Sequence, residues 1–286
     1  MTETGRSAPA VEAALHLVAV PIGAARDITL RALDLLAGAD VLAAEDTRAL
    51  RRLMDIHGIA LGDRPLVAYH DHNGERVRPR LLGALAEGKS VAYASEAGTP
   101  LVADPGFRLA VDARARGAAV RAAPGASAVL AALCVAGLPT DRFLFAGFLP
   151  PKAQARRTAL AELGTVPATL VLYESPKRVA AMLTDAAAVL GSRDARLCRE
   201  LTKRFEDVWS GDLPTLAARA DAEPPKGEIV VLIDRAAPAA ATDDDLRAML
   251  VDRLATEGTK AAVQAVTEAT GVPRKRVYAL ALEMKG

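Results

Sequence analysis

Residues 94–106 read ASEAGTPLVADPG and lie between an apolar run at residues 90–94 and a helical pattern at residues 107–116. Gly and Pro recur within a dozen residues, which forces tight backbone reversals and leaves amides and carbonyls facing outward, as a polar ligand requires. Gly and Pro are also normal in an ordinary strand-to-helix loop, so composition alone leaves a ligand site and a plain connection equally open.

The same strand, turn and helix pattern continues on both sides of this stretch. Short apolar runs at residues 16–20, 41–44, 66–69 and 118–122 are each followed by turn residues and then by a helical pattern. This alternation predicts an α/β fold with a largely parallel sheet covered by helices. Ligands gather beyond the carboxyl ends of such strands, where the other loops read VPIGAARD, AAEDTR, YHDHNGER and APGASA.

Changes in amino-acid composition along the chain indicate its domain boundaries. Residues 138–151 concentrate proline and phenylalanine, so a first α/β domain is predicted at residues 15–138 and a second at residues 139–235. A linker-like stretch precedes three short helices in a small helical domain at residues 243–286. Residues 1–14 are predicted to form a disordered tail.

Composition favours a cytoplasmic protein and names no partner. The 36 basic and 35 acidic residues nearly balance in a chain of 286, which excludes an overall polycation. Cys134 and Cys198 have no neighbouring cysteine and are predicted to be buried thiols in a reducing compartment. We expect no secretory signal and no membrane span.

The sequence lacks several motifs that mark nucleotide-binding and hydrolase folds. There is no G-x-x-x-x-G-K-[ST] phosphate loop, no G-x-G-x-x-G after the first strand, and Ser127 is not in a G-x-S-x-G elbow. Ser127 precedes a helix, so capping that helix is its simplest role. His70 and His72 lack a third clustered ligand, which favours a polar loop and predicts no metal.

Charged residues near the expected ligand edge have two interpretations. Glu45 and Asp46 at a strand end are either helix-capping groups or carboxylates placed for proton transfer or ligand binding. Two basic clusters on predicted helices are either solvated faces or contacts to a phosphate backbone; they comprise Arg48, Arg51 and Arg52, and Lys152, Arg156 and Arg157.

The ordered motifs resemble the ribosomal RNA small subunit methyltransferase I family. They read AVPIGAARDITLRAL, AAEDTR, YHDHNGER, SEAGTPLVADPGFRL, PGASA, GLPTDRFLFAGFLP, YESPKR, RELTKRFEDVWSG and KGEIVVLID, and the resemblance spans residues 15–286. It implies the tetrapyrrole (corrin/porphyrin) methylase fold, with S-adenosylmethionine between two α/β domains, and a homodimer. It further implies 2′-O-methylation of a cytidine ribose in 16S rRNA at the decoding centre of the small ribosomal subunit.

The resemblance also implies roles for particular residues. The residues expected to frame the cofactor are Pro21, Gly23, Ser95, Glu96, Ala97, Gly98, Thr99, Ser127, Ala128 and Tyr173, with Glu96 standing where the family more often has Asp. The residues expected on the acceptor side are Glu45, Asp46, Arg48, Glu200 and Lys203. The residues expected to contact RNA are Arg51, Arg52, Lys152, Arg156, Arg157, Arg274, Lys275 and Arg276.

Two other functions stay open at this point. A methylase of the same fold could act on a tetrapyrrole or on a protein side chain, although the basic helices and the C-terminal helices speak against it. A non-catalytic RNA-binding factor for ribosome assembly would bind the ribosome without transferring a methyl group.

Overall fold

The structure is a computed structural model that describes residues 10–102, 106–236 and 241–284. The chain divides into two compact units, one within residues 1–235 and one within residues 236–286. Part of the loop at residues 94–106 and most of the predicted tail therefore lie outside the described residues. In the described part of that tail, Val11 packs on a core cluster and Glu12 pairs with Arg121 at 3.0 Å, so these residues belong to the folded unit and not to a disordered tail.

The first sheet contains five parallel strands in the order β3-β2-β4-β1-β5. Its strands are β1 (Leu15–Val18), β2 (Val41–Ala44), β3 (Leu66–Ala68), β4 (Val91–Ala94) and β5 (Val120–Ala123). Its helices are α1 (Leu30–Gly38), α2 (Thr47–Ile56), α3 (Gly74–Ala86), α4 (Phe107–Ala115) and α5 (Ala128–Ala136). The predicted parallel α/β sheet is thus confirmed, and all five strands end at one edge.

Both faces of the central strands β2 and β4 are buried, which explains why these two strands are continuously apolar, whereas the edge strand β5 exposes Arg121 and Ala122. Successive side chains of a strand point to opposite faces, so Val91 and Tyr93 join the core cluster on one face, and Ala92 and Ala94 join the cluster on the other. Helices cover each face, as a parallel sheet requires.

The second sheet has the order β6-β7-β10-β8-β9, in which β6 and β7 are parallel and the other neighbours are antiparallel. Its strands are β6 (Phe143–Phe148), β7 (Thr169–Glu174), β8 (Asp194–Arg199), β9 (Asp207–Asp212) and β10 (Ile229–Ile233). Its helices are α6 (Ala153–Gly164), α7 (Val179–Leu190) and α8 (Leu213–Ala222). β6 lies where the prolines of residues 138–151 predict a domain boundary and no strand. It is an edge strand with a register shift at Gly147, whose φ is +64°.

Helix α5 joins the two sheets into one unit. It follows the last strand of the first sheet, yet Val129 and Leu133 pack against Val171, Cys198 and other side chains of the second sheet. Burial raises the pKa of the Cys198 thiol to about 12. Cys134 lies on the exposed side of α5, so the prediction that both cysteines are buried was wrong for this one.

The second unit contains α9 (Asp243–Thr256), α10 (Thr259–Thr270) and α11 (Arg274–Glu283) around its own apolar core. Thr242 and Asp245 form a capping box at the start of α9, and Gly271 ends α10 in a left-handed conformation. No helix in the described part of the chain combines the length and the apolar character needed to cross a bilayer.

Candidate active site

A cleft of about 690 Å³ opens at the carboxyl ends of the first sheet's strands and extends to the second sheet. One wall comes from the loops after β1, β2, β4 and β5, and the other from the ends of β6 and β7 and the start of β10. The volume lies within the range of roughly 300–1,000 Å³ usual for small-molecule sites. We call this cavity the cleft.

The β4 loop is fixed against the β1 and β5 loops by its own backbone. Val20 and Gly98 exchange two hydrogen bonds of 3.0 and 3.1 Å, and the Thr99 hydroxyl donates to the Ala126 carbonyl at 2.9 Å. Gly98 has φ +73°, and a Cβ there would lie 3.1 Å from a methyl of Ile22. The position therefore requires glycine, and the wall has little freedom to shift.

Aromatic side chains form the opposite wall. Tyr173 contacts Phe145 and Phe148 edge to face, with ring centroids 4.8 and 5.7 Å apart. Burial raises the pKa of Tyr173, and the charge of Glu228 raises it further. A flat apolar group of a ligand finds aromatic surface here, beside a carboxylate.

Lys203 is the one lysine or arginine that lines the cleft among the described residues. Its Nζ donates to Glu200 Oε1 at 2.9 Å and to Glu228 Oε2 at 3.0 Å. Burial lowers the pKa of Lys203, but its hydrogen bonds to the two carboxylates outweigh burial and leave that pKa above its ordinary value. Lys203 therefore holds a positive charge and cannot serve as a base near neutral pH.

The segment that carries Lys203 is strained and closely packed. Glu200 and Thr202 have φ values of +50° and +65°, which non-glycine residues rarely adopt. Thr202 Oγ1 accepts a hydrogen bond of 3.1 Å from the backbone of Ala24, and a Cβ on Gly23 would lie 2.7 Å from the same oxygen. Only glycine at position 23 lets the β1 loop approach so closely.

All ten residues predicted to frame the cofactor line the cleft. Ser127 also caps α5 by accepting a hydrogen bond of 3.5 Å from the backbone of Leu130. It therefore both lines the cleft and caps the helix. On the acceptor side, Glu45 and Lys203 line the cleft, and Glu200 lies behind Lys203 as its hydrogen-bond partner. Glu45 also accepts from the backbone of Glu96 at 3.4 Å.

Asp46 and Arg48 occupy different positions from those predicted. Asp46 caps α2 by accepting from the backbones of Arg48 and Ala49 at 2.7 and 3.3 Å, and the hydrogen bonds from Arg48 lower the pKa of Asp46. The Arg48 guanidinium is almost fully exposed. Neither residue is among the described residues that line the cleft, so the capping interpretation applies to Asp46.

The basic residues predicted to contact RNA differ in availability. Arg156 is buried and donates to Asp185 at 2.8 Å. Its charge is neutralised inside the protein, so its prediction as an RNA contact was wrong. Arg157 also pairs with Asp185 at 2.6 Å, but half of its side chain is exposed. Arg276 pairs with Asp243 at 2.8 Å in the helical unit. The others are exposed: Arg51, Arg52, Lys152, Arg274 and Lys275.

Sequence reasoning missed part of the second wall. Glu174 is buried at the end of β7 and lies 3.2 Å from the Arg178 guanidinium, and Gly227, Glu228 and Ile229 line the cleft from the start of β10. The motifs YESP and KGEI contain these residues, but only Tyr173 was selected from them. Among the described residues, no group of three His, Cys, Asp or Glu is placed to hold a metal ion.

Family models match most of the chain. The model described as Tetrapyrrole (Corrin/Porphyrin) Methylases matches residues 14–217, and the model described as RsmI C-terminal HTH domain matches residues 240–285.

Two similar proteins carry the name ribosomal RNA small subunit methyltransferase I. The one from Mesorhizobium japonicum is 47% identical over 277 residues, which cover 96% of this chain and 93% of that protein. The one from Escherichia coli O157:H7 is 40% identical over 286 residues, which cover 98% and 99%.

Solved structures share the fold at lower identity. A diphthine synthase superposes with a TM-score of 0.62 at 19% identity, covering 77% of this chain and 89% of that chain. A uroporphyrin-III C-methyl transferase from Thermus thermophilus, complexed with S-adenyl homocysteine, has a TM-score of 0.53 at 23% identity, covering 77% and 96%. At these identities the likeness concerns the fold alone.

Proposed function

The chain belongs to the tetrapyrrole (corrin/porphyrin) methylase family, and we propose that it methylates the 2′-hydroxyl of a cytidine in 16S rRNA at the decoding centre, using S-adenosylmethionine. The near full-length relatives named ribosomal RNA small subunit methyltransferase I support an rRNA substrate. The structural observation that carries the proposal is the cleft, because it combines a fixed small-residue loop with a charged lysine on the opposite wall.

The cleft fits the cofactor in shape and in chemistry. The small residues of the β4 loop leave room that a Cβ at Gly98 would reduce, and Tyr173 and Phe148 offer apolar surface to an adenine. Glu45, Glu96 and Glu228 place carboxylates around the same space, which suits the positive charge of a sulfonium and an amino group. When bound, the cofactor supplies a methyl group that is already activated for transfer.

The protein's own contribution is to position the acceptor and to stabilise charge. Methyl transfer requires in-line approach, so holding the ribose oxygen against the fixed β4 loop supplies much of the catalysis. Negative charge develops on that oxygen as its proton passes to a carboxylate of the cleft, for which we propose Glu45. Lys203 is the cation that lines the cleft and stabilises this charge. Glu200 acts as a positioning residue that holds Lys203.

The remaining parts of the proposal concern the assembly. A ribosomal substrate supports a cytoplasmic location for the enzyme. A homodimer is supported by exposed apolar side chains on α5 and on the edge strand β6, among them Leu130, Val135 and Phe143. Exposed Arg51, Arg52 and Lys152 are available for RNA phosphates, as are Arg274 and Lys275 in the helical unit.

The experiment maps ribose methylation in 16S rRNA from cells with and without the gene. One cytidine in the decoding centre should lose its 2′-O-methyl group in the deletion strain. Purified chain with labelled S-adenosylmethionine should restore that group on small subunits from the deletion strain. Unchanged methylation in the deletion strain, or label at a base or a protein side chain, would refute the proposal.

A further inference from the structure

A second cavity, of about 560 Å³, opens beside the cleft at the carboxyl end of edge strand β3. Its lining includes His70, Asp71, His72 and three arginines from α3 and α4. The β4 loop contributes to the surroundings of both cavities. Thr99 of this loop lines the cleft. Leu101 of the same loop packs against the core cluster that contains Tyr69, and Tyr69 lines the second cavity.

The loop that forms this cavity is held in one conformation. Asn73 Oδ1 accepts from the backbone of His70 at 2.9 Å, and Asn73 Nδ2 donates to the Ala68 carbonyl at 3.0 Å. The backbone amides of Asn73 and Gly74 donate to the His70 carbonyl at 3.0 and 2.9 Å. Asp71 and His72 are thereby presented on a rigid turn, and a preorganised site loses little entropy on binding.

The charges of the lining cancel. Arg78 is neutralised by Asp112 at 2.7 Å. This leaves two cations, Arg76 and Arg108, facing two carboxylates, Asp71 and Glu75. Arg108 and Glu75 are 3.7 Å apart and well exposed, so they bind each other only weakly and stay available. A neutral lining offers no net attraction to a bare phosphate.

What the lining offers is donors and acceptors beside flat rings. The edges of nucleobases present donors and acceptors side by side, and arginine, carboxylate and histidine groups pair with them. His70 and His72 have ring centroids 6.0 Å apart at an angle of 64°, and an imidazole is a surface on which an unpaired base stacks. His70 Nδ1 is buried without a hydrogen-bond partner among the described residues, which leaves a polar atom for a ligand to satisfy.

We propose that the second cavity binds an unpaired RNA base that flanks the methylated nucleotide. This inference rests on the proposed function. Sequence-specific recognition of RNA mostly targets unpaired bases of loops and single strands, which stack on histidine or arginine side chains and pair through their edges. The second cavity lies at the same edge of the sheet as the cleft, because the β3 loop that lines it follows the strand next to β2, whose loop lines the cleft.

The test compares Arg76→Ala and His72→Ala with Arg80→Ala, in full-length protein acting on small subunits that lack the modification. Arg80 is exposed on α3, four residues from Arg76, and does not line the cavity. We expect Arg76→Ala and His72→Ala to raise KM for the subunit about ten-fold, the loss usual for one base contact, with kcat within about two-fold of wild type. Affinity for S-adenosylmethionine and melting temperature should be unchanged, as in Arg80→Ala.

The salt dependence separates a base from a phosphate. A base contact leaves the slope of log affinity against log salt unchanged in Arg76→Ala, whereas loss of a phosphate contact reduces it by about one. A reduced slope, or a KM equal to that of Arg80→Ala, would overturn the inference.

If wild-type protein methylates no small-subunit RNA, the proposed function fails, and binding of a fluorescein-labelled single-stranded RNA still tests the cavity. Weaker binding by Arg76→Ala than by Arg80→Ala would then support it, and equal binding would overturn it.

Discussion

Replacement of Lys203 by methionine tests the charge in the cleft. Methionine keeps much of the side chain's length and removes its cation, which lies 2.9 Å from Glu200 and 3.0 Å from Glu228. Removing a donor to a developing oxyanion costs about 10²–10³ in kcat in a site without water. The Lys203 side chain is 28% exposed, so water screens part of its effect and we expect the lower end. A hundred-fold loss corresponds to about 2.7 kcal/mol of activation free energy.

The cost in folding stability should be much smaller. Glu200 loses its cation but keeps the hydrogen bond of 3.0 Å from the backbone of Glu228. Such a partly exposed pair contributes up to about 1 kcal/mol, which lowers the melting temperature by roughly 2–4 °C in a unit of this size.

The assay is single-turnover methyl transfer to unmodified small subunits, with cofactor affinity measured separately by calorimetry. Lys226→Met is the matched control, because Lys226 is an exposed lysine just before β10 that does not line the cleft. A Lys203→Met rate within a few-fold of the control's, in protein that binds cofactor normally, would refute the electrostatic role.

Three further outcomes follow from the packing. Gly98→Ala should weaken cofactor binding at least about ten-fold more than Gly88→Ala does, measured by calorimetry, since both have positive φ but only the first Cβ meets a neighbour, at 3.1 Å. Asp185→Ala should cost about 3–5 kcal/mol in denaturant unfolding because it leaves a buried arginine charge unpaired, whereas Arg157→Ala should cost under about 1 kcal/mol. Hydrogen bonds from Ser192 and Thr215 hold the pKa of Asp212 at about 2, below its value of about 3.9 in an unfolded chain. Its stabilisation is therefore complete above pH 4 and lost as pH falls towards 2, so the stability difference from Asp212→Asn should vanish over that window.

The elements that sequence predicted well are those whose pattern is local. The central strands β2 and β4 of the first sheet are short apolar runs between turn residues with both faces buried, so their pattern can be recognised without knowledge of the partner strand. β6 breaks this rule, because it is an edge strand with a bulge at Gly147 and prolines on either side. Edge position and bulges depend on which strands pair, and that information is not local.

The difference between local patterns and long-range contacts also decides which site residues the sequence predicts well. The cleft wall proposed to hold the cofactor consists of backbone turns, each encoded within one short segment such as residues 94–99, so it was possible to predict from sequence that these residues lie together. Arg156 shows the limit, since its burial depends on Asp185, which is 29 residues away on another helix. Asp46 was expected on the acceptor side but caps α2, because a carboxylate before a helix has the same sequence signature whether it caps or reacts.

The strained segment around Lys203 helps to fix the position of the two cleft walls relative to each other. Positive φ at Glu200 and Thr202 costs of order 1–3 kcal/mol each, and both residues lie just beyond the end of β8 at Arg199. What the strain achieves is contact with the β1 loop, where Thr202 accepts from Ala24 and Gly23 leaves the space that a side chain would fill. Since methyl transfer depends on distances fixed to within a fraction of an ångström, a direct contact between the wall proposed to hold the cofactor and the segment that carries Lys203 restricts their relative motion. The strain is offset by packing elsewhere, and its effect is to hold the cation at a constant position relative to the β4 loop.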